Sequence, residues 1–349
     1  MQKTFDIGNR RVGLGAAPFL IAELSGNHNG ELARALALVD AAAEAGADCV
    51  KLQTYTADTI TIDHDGPEFV VEGTPWAGRT LHDLYQEAST PWEWHEELFA
   101  RAHERGLLAF SSPFDPSAID FLTTLNAPAF KIASFELVDT PLIRKAAATG
   151  QPLIMSTGIA TFGEIEEALA AAREGGATDI ALLHCVSSYP AKPEEMRLGT
   201  IGALADAFGV TVGLSDHSPG SAVAVAAIAC GATIIEKHLT LARADGGPDA
   251  EFSLEPEEFH QLVQDCQMAH TALGPPKHNR SSIGGANAQF RRSLYIVADV
   301  EAGEALSDKT VRSIRPGNGL APKHLPKVLG RRAARPLKRG TALAWNMLV

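Results

Sequence analysis

The chain has 349 residues, of which 45% are hydrophobic and 21% are charged, and its formal net charge is −12. This composition is typical of a globular protein with a large core, and it excludes disordered and fibrous classes. The apolar runs are shorter than the roughly 18 to 20 residues that cross a bilayer, and the first residues lack the apolar stretch of a signal peptide. We therefore expect a cytoplasmic protein without a membrane partner.

The charge is unevenly distributed along the chain. Residues 291–349 contain 12 Lys and Arg against 4 Asp and Glu, a net of +8, whereas residues 1–290 contain 18 against 38, a net of −20. The overall acidity argues against a nucleic-acid partner, and the opposite signs suggest that the two parts dock. The four cysteines are scattered without a CxxC pair, which is typical of a reducing compartment.

The predicted elements begin with a hairpin at TFDIGNRRVG, which turns at Gly8-Asn9 and would plug the bottom of a barrel. Eight apolar, strand-like runs follow, and helix-like patterns separate them. They are residues 19–23, 49–53, 107–111, 129–133, 153–156, 180–185, 211–215 and 233–237. Eight such units predict an α/β protein with a TIM (β/α)8 barrel over residues 1–274. A doubly wound sheet uses the same units and stays open as the alternative.

Three segments interrupt this repeat or follow it. The connection from Thr54 to Thr90, here called the lid, is much longer than the usual 2 to 6 residues of a βα loop, so we expect it to cover an active site. Residues 275–290 are rich in Pro, Gly, Ser and Asn without apolar periodicity, which predicts a linker. Residues 291–349 contain short β-like runs between Gly and Pro, which predict a small β domain.

Every predicted strand ends in polar residues, where TIM barrels place their catalytic groups. Among these residues, Lys51 and Lys131 end apolar strands, where an unpaired ammonium group is costly to bury, so both require an anion. With the neighbouring hydroxyl groups they predict a pocket for phosphate and carboxylate groups. Ion pairs of these lysines with Glu23 or Glu136 are the alternative.

Two histidines are the candidate metal ligands. The period of two in a strand puts Ser215 and His217 on one face, and Glu236 and His238 on one face of the next strand. Because neighbouring strands lie about 4.8 Å apart, the two imidazoles can converge on one ion and leave positions open for water and substrate. Hydrogen bonds within the core or to a carboxylate are the alternative for each histidine alone.

Nine motifs in order resemble the sialic acid synthase family over nearly the whole chain. They are ELSGNHNG, VKLQTYT, FSSPFD, KIASFE, STG, HCVSSYP, GLSDHSPG, EKHLTL and RPGNGL. TYTADTITID, TPWAGRTLHDLY, TPWEWH and GGPDAEFSLEP look most like the pseudaminic acid synthases. The resemblance implies a C-terminal β-clip (SAF) domain similar to type III antifreeze proteins. It also implies condensation of phosphoenolpyruvate with 2,4-diacetamido-2,4,6-trideoxy-L-altrose and water to give pseudaminic acid and phosphate.

The resemblance also implies the roles of individual residues. His217 and His238 would hold a divalent ion, Mn2+ first, with Mg2+ or Co2+ as alternatives. Phosphoenolpyruvate would be bound by Lys51, Ser112, Lys131, Ser134, Ser156, Ser187 and Ser215. The acylamino sugar would be bound by Glu23, Tyr189, Asp249 and Arg315. Catalysis would fall to Glu23, Lys51, Lys131 and Asp249. In similar proteins the β-clip domain closes the partner's barrel, so we expect a domain-swapped homodimer in which Arg315 reaches the partner's sugar.

Alternatives from the same residues stay open. A synthase with a neuraminic or legionaminic precursor would use the same pocket, and a non-catalytic sugar- or ice-binding protein would keep the same scaffold. Lys131 on the fourth strand is also placed to form an imine. A 6-deoxy sugar predicts a partly apolar pocket, for which Trp76, Phe135 and Phe252 are the candidates.

Overall fold

The computed structural model describes residues 4–72, 76–274 and 285–349. The chain divides into two units, Met1–Gly274 and Pro275–Val349. Of the predicted linker, residues 275–284 lie outside the described residues, and Gly285–Phe290 form a 3-10 helix.

The first unit is built on eight parallel strands that close into a barrel, in the order β10-β3-β4-β5-β6-β7-β8-β9. The strands are β3 (Phe19–Glu23), β4 (Cys49–Thr54), β5 (Leu108–Pro113), β6 (Phe130–Ile132), β7 (Leu153–Ser156), β8 (Ile180–Cys185), β9 (Thr211–Asp216) and β10 (Ile234–His238). Their pairing closes the sheet between β10 and β3, where Ile234 is in register with Phe19 and His238 with Glu23. The TIM barrel is confirmed, and the doubly wound sheet is excluded.

Eight helices follow the barrel strands in sequence. They are α1 (Leu32–Ala45), α4 (His95–Glu104), α5 (Pro116–Thr124), α6 (Thr140–Ala147), α7 (Phe162–Glu174), α8 (Gly199–Phe208), α9 (Ala222–Ala229) and α10 (Pro256–Leu273). Their ends follow local sequence rules. Thr161 and Glu164 form a capping box that starts α7, and α10 starts with Pro256 at its first position. Short 3-10 helices occur at Trp92–Trp94, Phe135–Val138, Pro193–Glu195, Arg243–Asp245 and Ala250–Phe252.

The N-terminal hairpin consists of β1 (Phe5–Ile7) and β2 (Arg10–Val12), which pair antiparallel. Its buried side chains Phe5, Ile7 and Val12 pack in one cluster with residues that point into the barrel, such as Phe19 and Phe110. Because these barrel residues belong to the lower layers of the strands, the hairpin fills the amino-terminal end. A separate, larger apolar cluster lies between the strands and the helices. The other end of the barrel is left for the polar strand termini.

The lid contains two helices, α2 (Ala57–Ile60) and α3 (Leu81–Ala88), and the 3-10 helix Pro67–Phe69. An isolated antiparallel bridge joins Val70 to Thr80. Thr80 also caps α3, since its hydroxyl oxygen accepts a hydrogen bond from the backbone N–H of Asp83. Residues 54–72 and 76–90 of the lid, the part that the structure describes, therefore contain regular secondary structure.

The second unit has its own apolar core, to which Leu294, Ile296, Val311 and Leu337 belong. Its regular elements are few and short. Within the described residues of this unit, and besides the 3-10 helix Gly285–Phe290, they are β11 (Ser293–Ile296), β12 (Val311–Ile314), α11 (Leu325–Val328) and the 3-10 helices Pro322–His324 and Trp345–Met347. The two strands pair antiparallel, as expected for a small β domain. No helix within the described residues of either unit is long and apolar enough to cross a membrane.

Candidate active site

A cavity of about 470 Å³ lies at the carboxyl ends of the barrel strands. Its lining combines residues from the strand ends, the lid and the loop after β10. The lining includes, from the barrel, Lys51, Lys131, Ser134, Glu136, Ser156, Tyr189, Ser215, His217, Glu236, His238, Asp249 and Phe252, and, from the lid, Ile60, Val71, Trp76, Leu81 and Leu84. The cavity size suits a small ligand.

The two predicted lysines are buried on neighbouring sides of this cavity. Lys51 Nζ lies 2.5 Å from Glu23 Oε2, and Lys131 Nζ lies 3.0 Å from Glu236 Oε1. The same Glu236 oxygen is 3.9 Å from Lys51 Nζ and accepts a hydrogen bond from Ser215 Oγ at 2.9 Å. The alternative ion pair of Lys51 with Glu23 is therefore present, whereas Lys131 pairs with Glu236 and not with Glu136.

Burial and charge set the protonation of this cluster. Burial opposes ionisation of Glu236, but Lys131 and Lys51 outweigh it and lower the pKa of Glu236 to about 2. Burial raises the pKa of Glu23 despite Lys51, and burial lowers the pKa of Lys131 despite Glu236. An anion that binds here must compete with Glu23 and Glu236 for the two lysines. Glu23 is the weaker competitor, because burial makes its charged form less stable.

Hydroxyl groups complete the polar floor of the cavity. Ser156 Oγ is buried and has no hydrogen-bond partner among the described residues, so it is free to bind a ligand. The hydroxyls of Ser134 and Ser187 are 3.1 Å apart, and Lys51 Nζ donates to Ser112 Oγ at 3.2 Å. Gly158 has φ +48°, and a Cβ there would overlap the Cβ of Ser134, so only glycine allows this loop to approach so closely.

The two predicted metal ligands lie side by side in the cavity, with ring centroids 5.4 Å apart. His238 Nδ1 is 3.2 Å from Ser25 Oγ and 3.9 Å from Asp249 Oδ2. His217 Nδ1 is 3.0 Å from the carbonyl oxygen of Val186. With Nδ1 donating to this carbonyl, the neutral ring of His217 carries its lone pair on Nε2.

The protonation of this pair is compatible with one neutral ligand next to a more basic one. Burial lowers the pKa of His238 well below its ordinary value, and the neighbouring His217 lowers it further. Burial also lowers the pKa of His217, but the hydrogen bond and the charge interaction with the Cys185 sulfur and the hydrogen bond to the Val186 carbonyl outweigh it, so this pKa is raised. Within the described part of the chain, no group of three His, Cys, Asp or Glu side chains is arranged to hold a metal. Two neighbouring imidazoles are a donor set that suits an open site and not a closed structural one.

Aromatic side chains pack against the two histidines. Tyr189 lies against His217 with ring centroids 4.5 Å apart, and Phe252 lies against His238 at 4.9 Å. Trp76 of the lid contacts Tyr189 at 5.7 Å, and its indole N–H donates to the carbonyl oxygen of Pro248 at 2.8 Å. The lid is thus attached to the loop that carries Asp249.

The structure gathers the predicted barrel residues at the cavity. Those that line it are Lys51, Lys131, Ser134, Ser156, Tyr189, Ser215, His217, His238 and Asp249. Glu23, Ser112 and Ser187 are absent from that lining, but each contacts a residue of it. Arg315 belongs to the second unit, where its guanidinium lies 5.9 Å from the ring centroid of Phe290. The three candidates for an apolar pocket, Trp76, Phe135 and Phe252, all line the cavity.

Some lining residues were not selected from the sequence. Glu236 shares a strand face with His238, so its inward direction was predictable, but its pairing with both lysines depends on strands that are distant in sequence. Gln53 donates from Nε2 to Glu23 Oε1 at 3.0 Å, and the period of two put it on the same strand face as Lys51. The aliphatic lid residues gave no sequence signal that they face the cavity.

Comparison with known proteins agrees with this architecture. Residues 38–278 match the NeuB family, and residues 291–349 match the SAF domain. The chain is 43% identical to the pseudaminic acid synthase of Helicobacter pylori over 94% of this chain and 96% of that protein. It is 36% identical to the N,N'-diacetyllegionaminic acid synthase of Legionella pneumophila over 94% of each chain.

Solved structures show the same fold. An N-acetylneuraminic acid synthetase from Leptospira borgpetersenii, crystallised with citrate, has a TM-score of 0.73 and 31% identity, covering 82% of this chain and 98% of that one. The spore coat polysaccharide biosynthesis protein SpsE of Bacillus subtilis has a TM-score of 0.68 and 33% identity over 99% of each chain. The chain therefore belongs to the NeuB family and carries an SAF domain at residues 291–349.

Proposed function

We propose that this chain condenses phosphoenolpyruvate with 2,4-diacetamido-2,4,6-trideoxy-L-altrose and water, which gives pseudaminic acid and phosphate. The coarser statement follows from the family: the chain is a carbon–carbon bond-forming transferase, a phosphoenolpyruvate-dependent nonulosonate synthase. The choice of sugar rests on the 43% identity to a pseudaminic acid synthase, against 36% to a legionaminic one.

One observation carries the proposal: two buried lysines and two convergent imidazoles line the same cavity. The lysines, Ser134 and Ser156 provide cations and hydroxyl donors for the phosphate and carboxylate of phosphoenolpyruvate. The imidazoles lie beside this floor, where the aldehyde end of the open-chain sugar must come next to the enol carbon. The family match, and not this pocket alone, separates a synthase from a lyase or an isomerase of a phosphorylated substrate.

The residues of the chain act by binding, orienting and moving protons. Lys51 and Lys131 balance the negative charge of phosphoenolpyruvate, and C3 of the enol attacks the aldehyde carbon. Water then adds at C2, and cleavage of the C2–O bond releases phosphate. We assign to Glu23 the role of orienting or deprotonating this water. Burial raises the pKa of its carboxyl group, which makes it a stronger base. No imine is required, and Lys131 is held by Glu236 at 3.0 Å.

His217 and His238 are the residues that would hold a divalent ion, with Asp249 close to His238. When bound, Mn2+ or a similar ion supplies Lewis acidity to the aldehyde. Val186 and Ser25 orient the two rings through Nδ1. Tyr189, Asp249 and Phe252 are placed to position the sugar beside them.

The assembly and the compartment are part of the same proposal. We place the catalytic domain at residues 1–274, the linker at 275–290 and the SAF domain at 291–349. The opposite charges of the two parts favour docking, and a domain-swapped dimer would bring Arg315 to the partner's sugar. The cytoplasm is the proposed compartment, which agrees with four free cysteines.

The experiment is phosphate release from phosphoenolpyruvate with a panel of sugars. The altrose derivative should give the highest kcat/KM, and an apolar pocket would allow N-acetylmannosamine residual activity about 10- to 100-fold lower. A preference for the legionaminic precursor or for N-acetylmannosamine would replace the proposed sugar and keep the synthase. Binding without phosphate release from any sugar would favour the non-catalytic alternative.

A further inference from the structure

The lid presents a mainly aliphatic and aromatic surface to the cavity, which includes Tyr55 and Tyr85, although its sequence is acidic. It contains seven Asp and Glu residues, and none of them is among the residues that line the cavity. The lid side chains that do line it include four aliphatic ones, Ile60, Val71, Leu81 and Leu84, here called the lid wall. This separation of charged and apolar side chains is typical of a segment that packs on an apolar group.

Contacts at both the middle and the end of the lid fix the position of this wall. Trp76 donates to the carbonyl oxygen of Pro248 at 2.8 Å. Thr90 Oγ1 is 3.3 Å from His28 Nε2. A Cβ at Gly26 would lie 3.2 Å from the Cα of Ala88, so the end of α3 packs closely against the loop after β3. The lid wall is therefore a built side of the cavity.

The part of the lining that comes from the barrel strands is polar and contains the reacting groups. Lys51, Lys131, His217 and His238 line the cavity in this part, so the aldehyde carbon of the sugar must lie there. The rest of the open-chain sugar has to extend away from this floor, towards the lid. Its far end is C6, which in the proposed sugar is a methyl group.

We infer that the lid wall is the specificity-determining surface for C6 of the sugar, and that it accepts a 6-methyl group and disfavours a 6-hydroxymethyl group. This inference rests on the proposed function. Burial of a methyl group against aliphatic side chains is favourable, whereas an added hydroxyl loses its hydrogen bonds to water there. An apolar pocket rejects such a hydroxyl by about 10- to 100-fold.

The test compares two sugars that differ only at C6, the altrose derivative and its 6-hydroxy counterpart, at saturating phosphoenolpyruvate. The variants are Val71→Thr and Ile60→Thr, which add a hydroxyl to the wall. Val70→Thr is the matched control, because Val70 is also half-buried, is adjacent in sequence, and does not line the cavity. In each protein the ratio of kcat/KM for the two sugars is measured.

We expect the wild-type protein to favour the 6-deoxy sugar by at least about 10-fold. At least one wall variant should lower this ratio by about 3- to 10-fold, with an unchanged KM for phosphoenolpyruvate, while Val70→Thr should leave it within about 2-fold. An unchanged ratio in both wall variants, with a wild-type preference for the 6-deoxy sugar, would overturn the inference and leave the proposed function standing. A wild-type protein that prefers the 6-hydroxy sugar, or uses neither, would overturn both.

Discussion

Glu136 lies at the edge of the cavity with one carboxylate oxygen buried and without a hydrogen-bond partner among the described residues. Burial raises the pKa of its carboxyl group from 4.5 to about 7. Between these two values the folded protein holds a proton that the unfolded chain has released. Stability contributed by this group is therefore complete at low pH and is lost as the pH rises towards 7.

The variant Glu136→Gln removes this dependence. We expect the difference in free energy of unfolding, variant minus wild type, to increase by at most about 3 kcal/mol between pH 5 and pH 8. This difference should level off above pH 7. Urea unfolding of both proteins across this range provides the measurement. A difference that does not change with pH would show that Glu136 ionises normally.

The histidine pair makes a second prediction at the scale of residues. If His217 and His238 hold a divalent ion, His217→Ala and His238→Ala should each lower turnover by more than about 100-fold and should weaken Mn2+ binding. Chelation should inactivate the wild-type protein, and added Mn2+ should restore it. Full activity after exhaustive chelation would show that the reaction does not require a metal ion. If only His238→Ala has an effect, Asp249, 3.9 Å from His238, would be the second ligand.

At the scale of elements, β9 and β10 are joined by an ion pair on the side opposite to the cavity. Lys237 Nζ lies 2.7 Å from Asp216 Oδ2, and both side chains are fully buried. These residues alternate with Ser215 and His217 on β9 and with Glu236 and His238 on β10. The pair also fixes the turn after β9, because Asp216 Oδ1 accepts hydrogen bonds from the backbone N–H and the hydroxyl of Ser218.

Lys237→Met leaves the Asp216 carboxylate buried without its cation. It should lower the free energy of unfolding by about 3 to 5 kcal/mol. The double variant Lys237→Met with Asp216→Asn should recover about 1 to 2 kcal/mol of this loss, since the unpaired charge is gone. Urea unfolding of the single and double variants gives the comparison. Additive losses would mean that the two side chains do not interact.

The sequence allowed the barrel elements to be predicted because each strand is a short apolar run with a polar end. The predicted strand bounds differ from the observed ones by no more than two residues at either end, as at β5, predicted at 107–111 and observed at Leu108–Pro113. The direction of His217 and His238 followed from the period of two. The pairing of Lys131 with Glu236 could not be predicted from this period, because the two residues are 105 positions apart in the sequence. The lid wall was also missed, since its aliphatic residues follow no period that separates cavity from core.

At the scale of the whole molecule, the proposed dimer makes each active site depend on two chains. A chain that ends at Gly274 should be inactive, because it lacks Arg315. Mixing Arg315→Ala with His217→Ala subunits should restore one working site in each mixed dimer, up to about half of the activity per dimer. Equal mixing with demonstrated subunit exchange and no recovery would contradict the swap. Neither parent should show activity when assayed alone.

The most direct test of the central claim is the reaction itself in water enriched in oxygen-18. The full chain, phosphoenolpyruvate, the altrose derivative and Mn2+ are incubated, and the sugar product and the phosphate are analysed by mass spectrometry. Because water adds at C2 and the C2–O bond breaks, we expect equal amounts of pseudaminic acid and phosphate. The phosphate should not carry the label. Labelled phosphate, or phosphate without a nine-carbon product, would show hydrolysis at phosphorus and would contradict the proposed synthase.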